Sequence, residues 1–204
     1  TKAFDLADEY RMPAVILADG LLGQMMEPVE FDDAEIKMST AENKPWAANG
    51  HGNKRKHNII NSLYLQANEL EQTIADRFKR YDDLKAKHTM AEASNCEDAD
   101  IVVVAYGSTA RIAKSAVDAA RKKGIKAGVF RPITLWPFPE KEINEAVKNA
   151  KKVLTVEMSM GQMVDDVRLS INCSKPVEFF GRTGGVIPSP AEILAKIEEM
   201  GGTK

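Results

Sequence analysis

The chain has 204 residues, 44% of them hydrophobic, with 28 basic and 30 acidic side chains and a net charge of −2. This length holds one or two domains, and the near-neutral balance speaks against a nucleic-acid binder, which shows a basic surplus. With only Cys96 and Cys173 there is no disulfide framework and no CxxC pair for zinc or an iron–sulfur cluster, as in a reducing cytoplasm; no apolar run approaches the roughly 18 to 20 residues of a membrane helix, and Thr1-Lys2-Ala3-Phe4-Asp5 has no signal-peptide core.

From Lys2 to Arg11 the apolar residues Ala3, Leu6, Ala7 and Tyr10 recur at helical spacing, with Thr1 as the N-cap. Met12-Pro13 ends that helix, and the unbroken apolar run Pro13–Ala18 predicts a strand covered on both faces before Asp19-Gly20 turns the chain. One helix and one strand bury too little to stand alone. Residues 1–31 therefore read as the tail of a truncated domain.

Residues 32–65 collect Pro45, Asn49, Gly50, Gly52 and Asn53 and read as a linker. Within it, Lys54-Arg55-Lys56-His57 could meet phosphate or an acidic partner, although short charge runs are usually solvated loop surface. A long amphipathic helix is expected from about Asn68 to Lys87, within a helical segment set at residues 66–93, where Leu70, Ile74, Phe78, Tyr81 and Leu84 form a stripe. Such stripes more often dock on their own domain than on another subunit.

Residues 94–204 alternate strands with helices. Ile101–Tyr106 is a buried strand, and a helix opens at Gly107-Ser108-Thr109 and closes at Gly124. A second strand over Lys126–Phe130 runs into the stiff turn Leu135-Trp136-Pro137-Phe138-Pro139, then a short helix through Ile143, Ala146 and Val147. The third strand, Lys152–Val156, leads through Glu157–Gly161 to a helix running through Met163, Val164, Val167 and Leu169. The fourth, Val177–Phe180, precedes a flexible loop over 181–185 and a last helix with Ser189 as N-cap, Pro190 at its first position and Ile193, Leu194 and Ile197 inward. Strands alternating with helices predict an α/β fold: three layers, α/β/α, around a mainly parallel sheet.

Ligands of such sheets bind beyond the carboxyl ends of the strands. That directs attention to the loops 107–109, 131–139, 157–162 and 181–188. None carries a complete constellation, and the chain has no GxGxxG, GxxxxGK[ST] or GxSxG motif. Gly107-Ser108-Thr109 could bind an anion through free helix amides, or be an ordinary turn and cap. Glu157 could serve as a general acid or base, but a carboxylate at a strand end more often caps or pairs with the next loop. His51, His57 and His88 lack metal-ligand spacing and read as surface residues, and Cys173 reads as a half-buried small residue. The residues alone leave two classes open: a non-catalytic domain completing a larger enzyme, and an independent small-molecule or nucleotide-binding module.

The stretches Asp19-Gly-Leu-Leu-Gly-Gln-Met-Met-Glu-Pro28, Val104-Ala-Tyr-Gly-Ser-Thr-Ala-Arg111, Phe130-Arg-Pro-Ile-Thr-Leu-Trp-Pro-Phe-Pro139 and Val156-Glu-Met-Ser-Met-Gly-Gln162 resemble the alpha subunit of 2-oxoacid:ferredoxin oxidoreductases. The resemblance runs over nearly the whole chain and is nearest to the branched-chain, 2-ketoisovalerate members. It implies that residues 1–31 finish a pyrimidine-binding domain for thiamine diphosphate and that residues 94–204 are a transketolase C-terminal-like domain. It implies an enzyme that joins a 2-oxoacid and coenzyme A, giving acyl-CoA, carbon dioxide and reduced ferredoxin. Thiamine diphosphate, Mg2+ and iron–sulfur clusters are then held by other subunits or domains, and the family's substrate-binding motif and cofactor-activating carboxylate fall before Thr1. No catalytic, cofactor or metal residue carries over to this chain, which is expected to be inactive alone. Its expected work is subunit interface, through Glu157, Met158, Gly161 and Gln162 in one loop and Arg182, Gly184 and Gly185 in the other, with ferredoxin and coenzyme A met only through the complex.

Overall fold

The run Ile-Val-Val-Val has no polar face, so it is stable only where both sides of a sheet are covered. The computed structural model, which describes residues 1–30 and 44–201, places it there. The chain divides into two compact units, one of residues 1–17 and 25–83, the other of residues 18–24 and 84–204.

The second unit is built on five strands: β1 (Ala91–Ser94), β2 (Ile101–Val104), β3 (Ala127–Pro132), β4 (Lys152–Glu157) and β5 (Val177–Gly181). Their order is β1-β3-β2-β4-β5; β1 runs antiparallel to β3, and all other pairs are parallel. Four helices cover the sheet: α3 (Gly107–Lys122), α4 (Glu140–Ala146), α5 (Met163–Ser170) and α6 (Pro190–Gly201). Because side chains alternate along a strand, Ile101 and Val103 pack with Leu154, Val156, α3 and α6 on one face. Val102 and Val104 pack with Phe130, Val153, α4 and α5 on the other. The result is the expected three-layer α/β arrangement.

Strand order reverses at β2. The β2–β3 crossover uses α3 on one face and the β3–β4 crossover uses α4 on the other, as right-handed connections in opposite directions require. The chain leaves neighbouring strands β2 and β4 toward opposite faces, so their carboxyl ends form the switch point where doubly wound sheets take ligands.

The sequence reading of this unit needs amendment at the edge strand β1 and at Cys173. The long helix, here α2 (Ala67–His88), lies where its stripe placed it, but Ala91–Ser94, not read as a strand, forms the antiparallel edge strand β1. Four residues of Ala, Glu and Ser carry too little β signal to show in sequence; pairing with β3 decides them. Leu169 is 75% exposed, because the short α5 buries the face of Met163, Val164, Val167 and Ser170. Cys173 is exposed, at φ +52° in the turn after α5. Ser189 behaves as expected: its hydroxyl accepts from the Glu192 amide while Glu192 accepts from the Ser189 amide, a reciprocal capping box at the start of α6.

In the first unit, α1 (Lys2–Tyr10) buries Tyr10, whose hydroxyl donates to Asp83 at 2.9 Å, while Arg80 donates to the Tyr10 carbonyl. Thr1 makes no side-chain cap. Residues 13–18 form no strand, and Val15, Ile16 and Leu17 are exposed; no strand among the described residues offers them a ladder. The expected docking of the α2 stripe is also corrected. Leu84 is buried in the helix's last turn, but Phe78 is 58% exposed, and Leu70 and Ile74 also face solvent. Part of the linker, residues 31–43, lies outside the described residues. The rest is irregular and tied by its own polar groups: Arg55 donates to Ala47 and Asn49, and Asn58 to Pro45 and Ala47. Arg55 is therefore occupied within its own loop.

Candidate functional site

The switch point between β2 and β4 is bordered by Tyr106-Gly107-Ser108 and by the loop 157–162. Ser108 and Met158 mark their approach, with 3.8 Å between Oγ and Sδ. Two helices begin here, and each first turn holds amide donors without intrahelical partners.

At α5 the acceptor is Glu157, 1% exposed at the last position of β4. Its carboxylate accepts from the backbone amides of Gln162 (3.2 Å), Met163 (3.0 Å) and Val164 (2.9 Å) and from the Ser159 hydroxyl (3.0 Å). Every acceptor direction is used in positioning the loop, which leaves none for a substrate proton. The capping reading is the one observed. The Glu157 side chain, 1% exposed, is turned into the chain and away from the surface of its loop.

At α3 the acceptor is Asp19. Its Oδ2 accepts from the Ser108 hydroxyl at 2.5 Å, and its Oδ1 accepts from the Leu22 amide at 2.8 Å. The Ser108 bond, followed by the Leu22 amide, holds the carboxyl below the usual carboxylate range. Tyr106 feels both acids: burial raises its phenol first, and the charges of Glu157 and Asp19 raise it further. The anion position anticipated at Gly107-Ser108-Thr109 is real, but a side chain of this chain fills it. Asp19 was legible only as a turn residue, since its partner lies 89 positions away.

The loop after β5 lies beside the loop after β4, because the Arg182 amide donates to the Glu157 carbonyl at 3.1 Å. Arg182 pairs with Glu192 at the start of α6. Gly161, at φ +106°, has Val164 3.2 Å from where a Cβ would sit, so glycine suits both the backbone and the space. The two loops thus come together, with Gln162, Arg182, Gly184 and Gly185 exposed and Met158 and Gly161 half-buried. Met160, Val186 and Ile187 add exposed apolar surface.

The donor set does not fit a metal or cluster. Among the described residues no three His, Cys, Asp or Glu side chains gather as ligands. Cys96 is buried with its thiol turned to the Val129 carbonyl, and Cys173 lies at the surface. No described helix is long and apolar enough to cross a membrane.

Residues 99–193 match the family described as Pyruvate:ferredoxin oxidoreductase core domain II. The chain is 42% identical to ketoisovalerate oxidoreductase subunit VorB of Methanothermobacter marburgensis, over 98% of this chain and 56% of that protein. It is 32% identical to 2-oxoglutarate synthase subunit KorA of the same organism, over 98% of this chain and 59% of that one. It spans little more than half the length of these relatives. In fold it resembles a 2-oxoglutarate:ferredoxin oxidoreductase from Magnetococcus marinus, solved with 2-oxoglutarate, coenzyme A and succinyl-CoA bound, with a TM-score of 0.75 and 20% identity over 96% of this chain and 38% of that one. The sequence match across almost every residue, on the α/β fold such a protein uses, marks this chain as similar to part of the 2-oxoacid:ferredoxin oxidoreductase subunits.

Proposed function

We propose that the chain is the C-terminal part of an alpha subunit in a thiamine-diphosphate-dependent 2-oxoacid:ferredoxin oxidoreductase of the branched-chain type, and that it works as a structural and subunit-interface element. The observation that carries this reading is the 42% identity to a ketoisovalerate oxidoreductase subunit along 98% of the chain. The complete enzyme would convert a 2-oxoacid, coenzyme A and two oxidised ferredoxins to acyl-CoA, carbon dioxide, a proton and two reduced ferredoxins. Thiamine diphosphate supplies the decarboxylation chemistry when bound elsewhere in the complex. Residues 1–31 are assigned to the end of its pyrimidine-binding domain and residues 94–204 to a transketolase C-terminal-like domain. The cytoplasm is the proposed compartment, in keeping with two unpaired thiols.

The interface reading draws on the geometry of the adjacent loops. Their inner residues are tied down, with Glu157 on the α5 amides and Arg182 on Glu192, while Met160, Gln162, Gly184, Val186 and Ile187 face outward. A rigidly held surface of this kind suits an enzyme whose site is shared between subunits, where a misplacement of about 1 Å costs roughly 100-fold in rate. The test is a substitution of Met160, Gln162 and Val186 by Asp, Glu and Asp in the full-length subunit, reconstituted with its partners. Reduced assembly with a normally folded subunit is expected; unaltered assembly and turnover would overturn the interface reading. Assay of the parent complex across 2-oxoacids tests the subfamily, and preference for 2-oxoglutarate over branched-chain acids would overturn it.

A further inference from the structure

The two helix starts at the switch point are both satisfied by carboxylates of this chain, but in different ways. Glu157 ends the strand that feeds its own helix. Asp19 arrives from a segment, residues 18–24, that belongs to the α/β unit although the chain on either side of it, residues 1–17 and 25–83, belongs to the other unit. Nothing in that segment is a strand or α-helix; it contains one short 3₁₀ turn, Leu22–Gln24. What holds it is Asp19.

Each oxygen of Asp19 has a separate task. Oδ1 takes the Leu22 amide, and with the Gly23 amide on the Asp19 carbonyl at 3.2 Å it shapes the turn. Oδ2 takes the hydroxyl of Ser108, which is itself 5% exposed at the second residue of α3. Gly107, at φ +58°, brings the backbone past the carboxylate: a Cβ there would lie 3.8 Å from Oδ2. A carboxylate at a helix N-terminus is the arrangement by which such a terminus captures an external anion.

We propose that Asp19 is a built-in ligand of the α3 N-terminus, a latch that fastens the 18–24 turn to the α/β unit at the position where related sheets take a ligand from outside. The carboxylate is a positioning group, acting on where the chain enters the unit. Leu21 and Leu22 follow it into the turn as half-buried side chains, so release of Asp19 frees their packing as well.

Hydrogen exchange of the full-length protein tests this, comparing Asp19→Asn, Ser108→Ala and the double variant. Ser108→Ala leaves the Asp19–Leu22 cap in place and removes only the bond across to α3. It is expected to speed exchange of the Leu21–Gln24 amides about tenfold, the scale of one charge-assisted hydrogen bond, while the sheet and the later turns of α3 keep their protection. Asp19→Asn keeps an acceptor for Leu22 and should give a similar acceleration. The double variant should exceed the larger single effect only slightly, because both changes break one interaction. Unchanged exchange over 21–24 in Ser108→Ala overturns the proposal, as do multiplying single effects or an acceleration spread evenly through the unit. Should Asp19→Asn not fold, Ser108→Ala alone decides.

Discussion

Replacing Glu157 by Ala tests how the strand-end loop is held. The change strips the acceptor from the Met163 and Val164 amides, both belonging to buried residues, and from the Ser159 hydroxyl. An N-cap is worth about 0.5–2 kcal/mol, and each buried donor left unsatisfied costs about 1–3 kcal/mol. Allowing one amide to find water, the cap and the remaining donor come to about 1.5–5 kcal/mol, a large share of the 5–15 kcal/mol that stabilises a typical domain. Glu157→Gln preserves volume and one acceptor but loses the charge that favours a helix N-terminus, so about half that cost is expected. Urea denaturation followed by Trp136 fluorescence in a Trp46→Phe background reports on the α/β unit. With a slope near 2 kcal/mol/M, the Ala variant should lower the midpoint by roughly 0.8–2.5 M. A cost below about 0.5 kcal/mol would refute the capping argument, and equal costs for Gln and Ala would refute the part assigned to charge.

Gly128→Ala should destabilise the same transition by about 1–3 kcal/mol, because its Cβ would fall 2.5 Å from the Asn95 carbonyl oxygen, a backbone atom that cannot swing away. Thiol labelling of the native protein at pH 8 should modify Cys173 and spare Cys96, which is buried and whose thiol is pushed up to about 11, mainly by burial; two thiols labelled at equal rates would contradict this. The Tyr10 phenol is raised to about 12 by burial and by its bond to Asp83. Its contribution to stability is therefore present below the ordinary tyrosine value near 10 and is lost as pH climbs through about 12. In an alkaline absorbance titration, Tyr10→Phe should remove a late component, and an unchanged curve would show that the bond does not form in solution.

The α/β core was legible because its signals are local. Ile101–Val104 reads as a doubly covered strand, the inward residues of α3 recur at helical spacing, and Ser189 with Glu192 lies within one capping turn. The failures share the opposite character. Pro13–Ala18 has the composition of a buried strand, yet a strand exists only where a neighbour completes its ladder. The α2 stripe has the period of a core face, and period alone does not say what covers it. Ala91–Ser94 has almost no strand signal and becomes one because β3 presents a free edge.

At the candidate site the division is the same. Sequence alone determined that loops 107–109, 157–162 and 181–188 would gather at one end of a parallel sheet, since alternation of strands and helices leaves them no other place. It also carried the family resemblance. Only the tertiary structure decided what those loops hold: Glu157 folds back onto its own helix, and Asp19 crosses 89 positions to reach Ser108. A carboxylate's role depends on which donors stand within about 3 Å of it, and over such a separation the folded chain alone sets that distance.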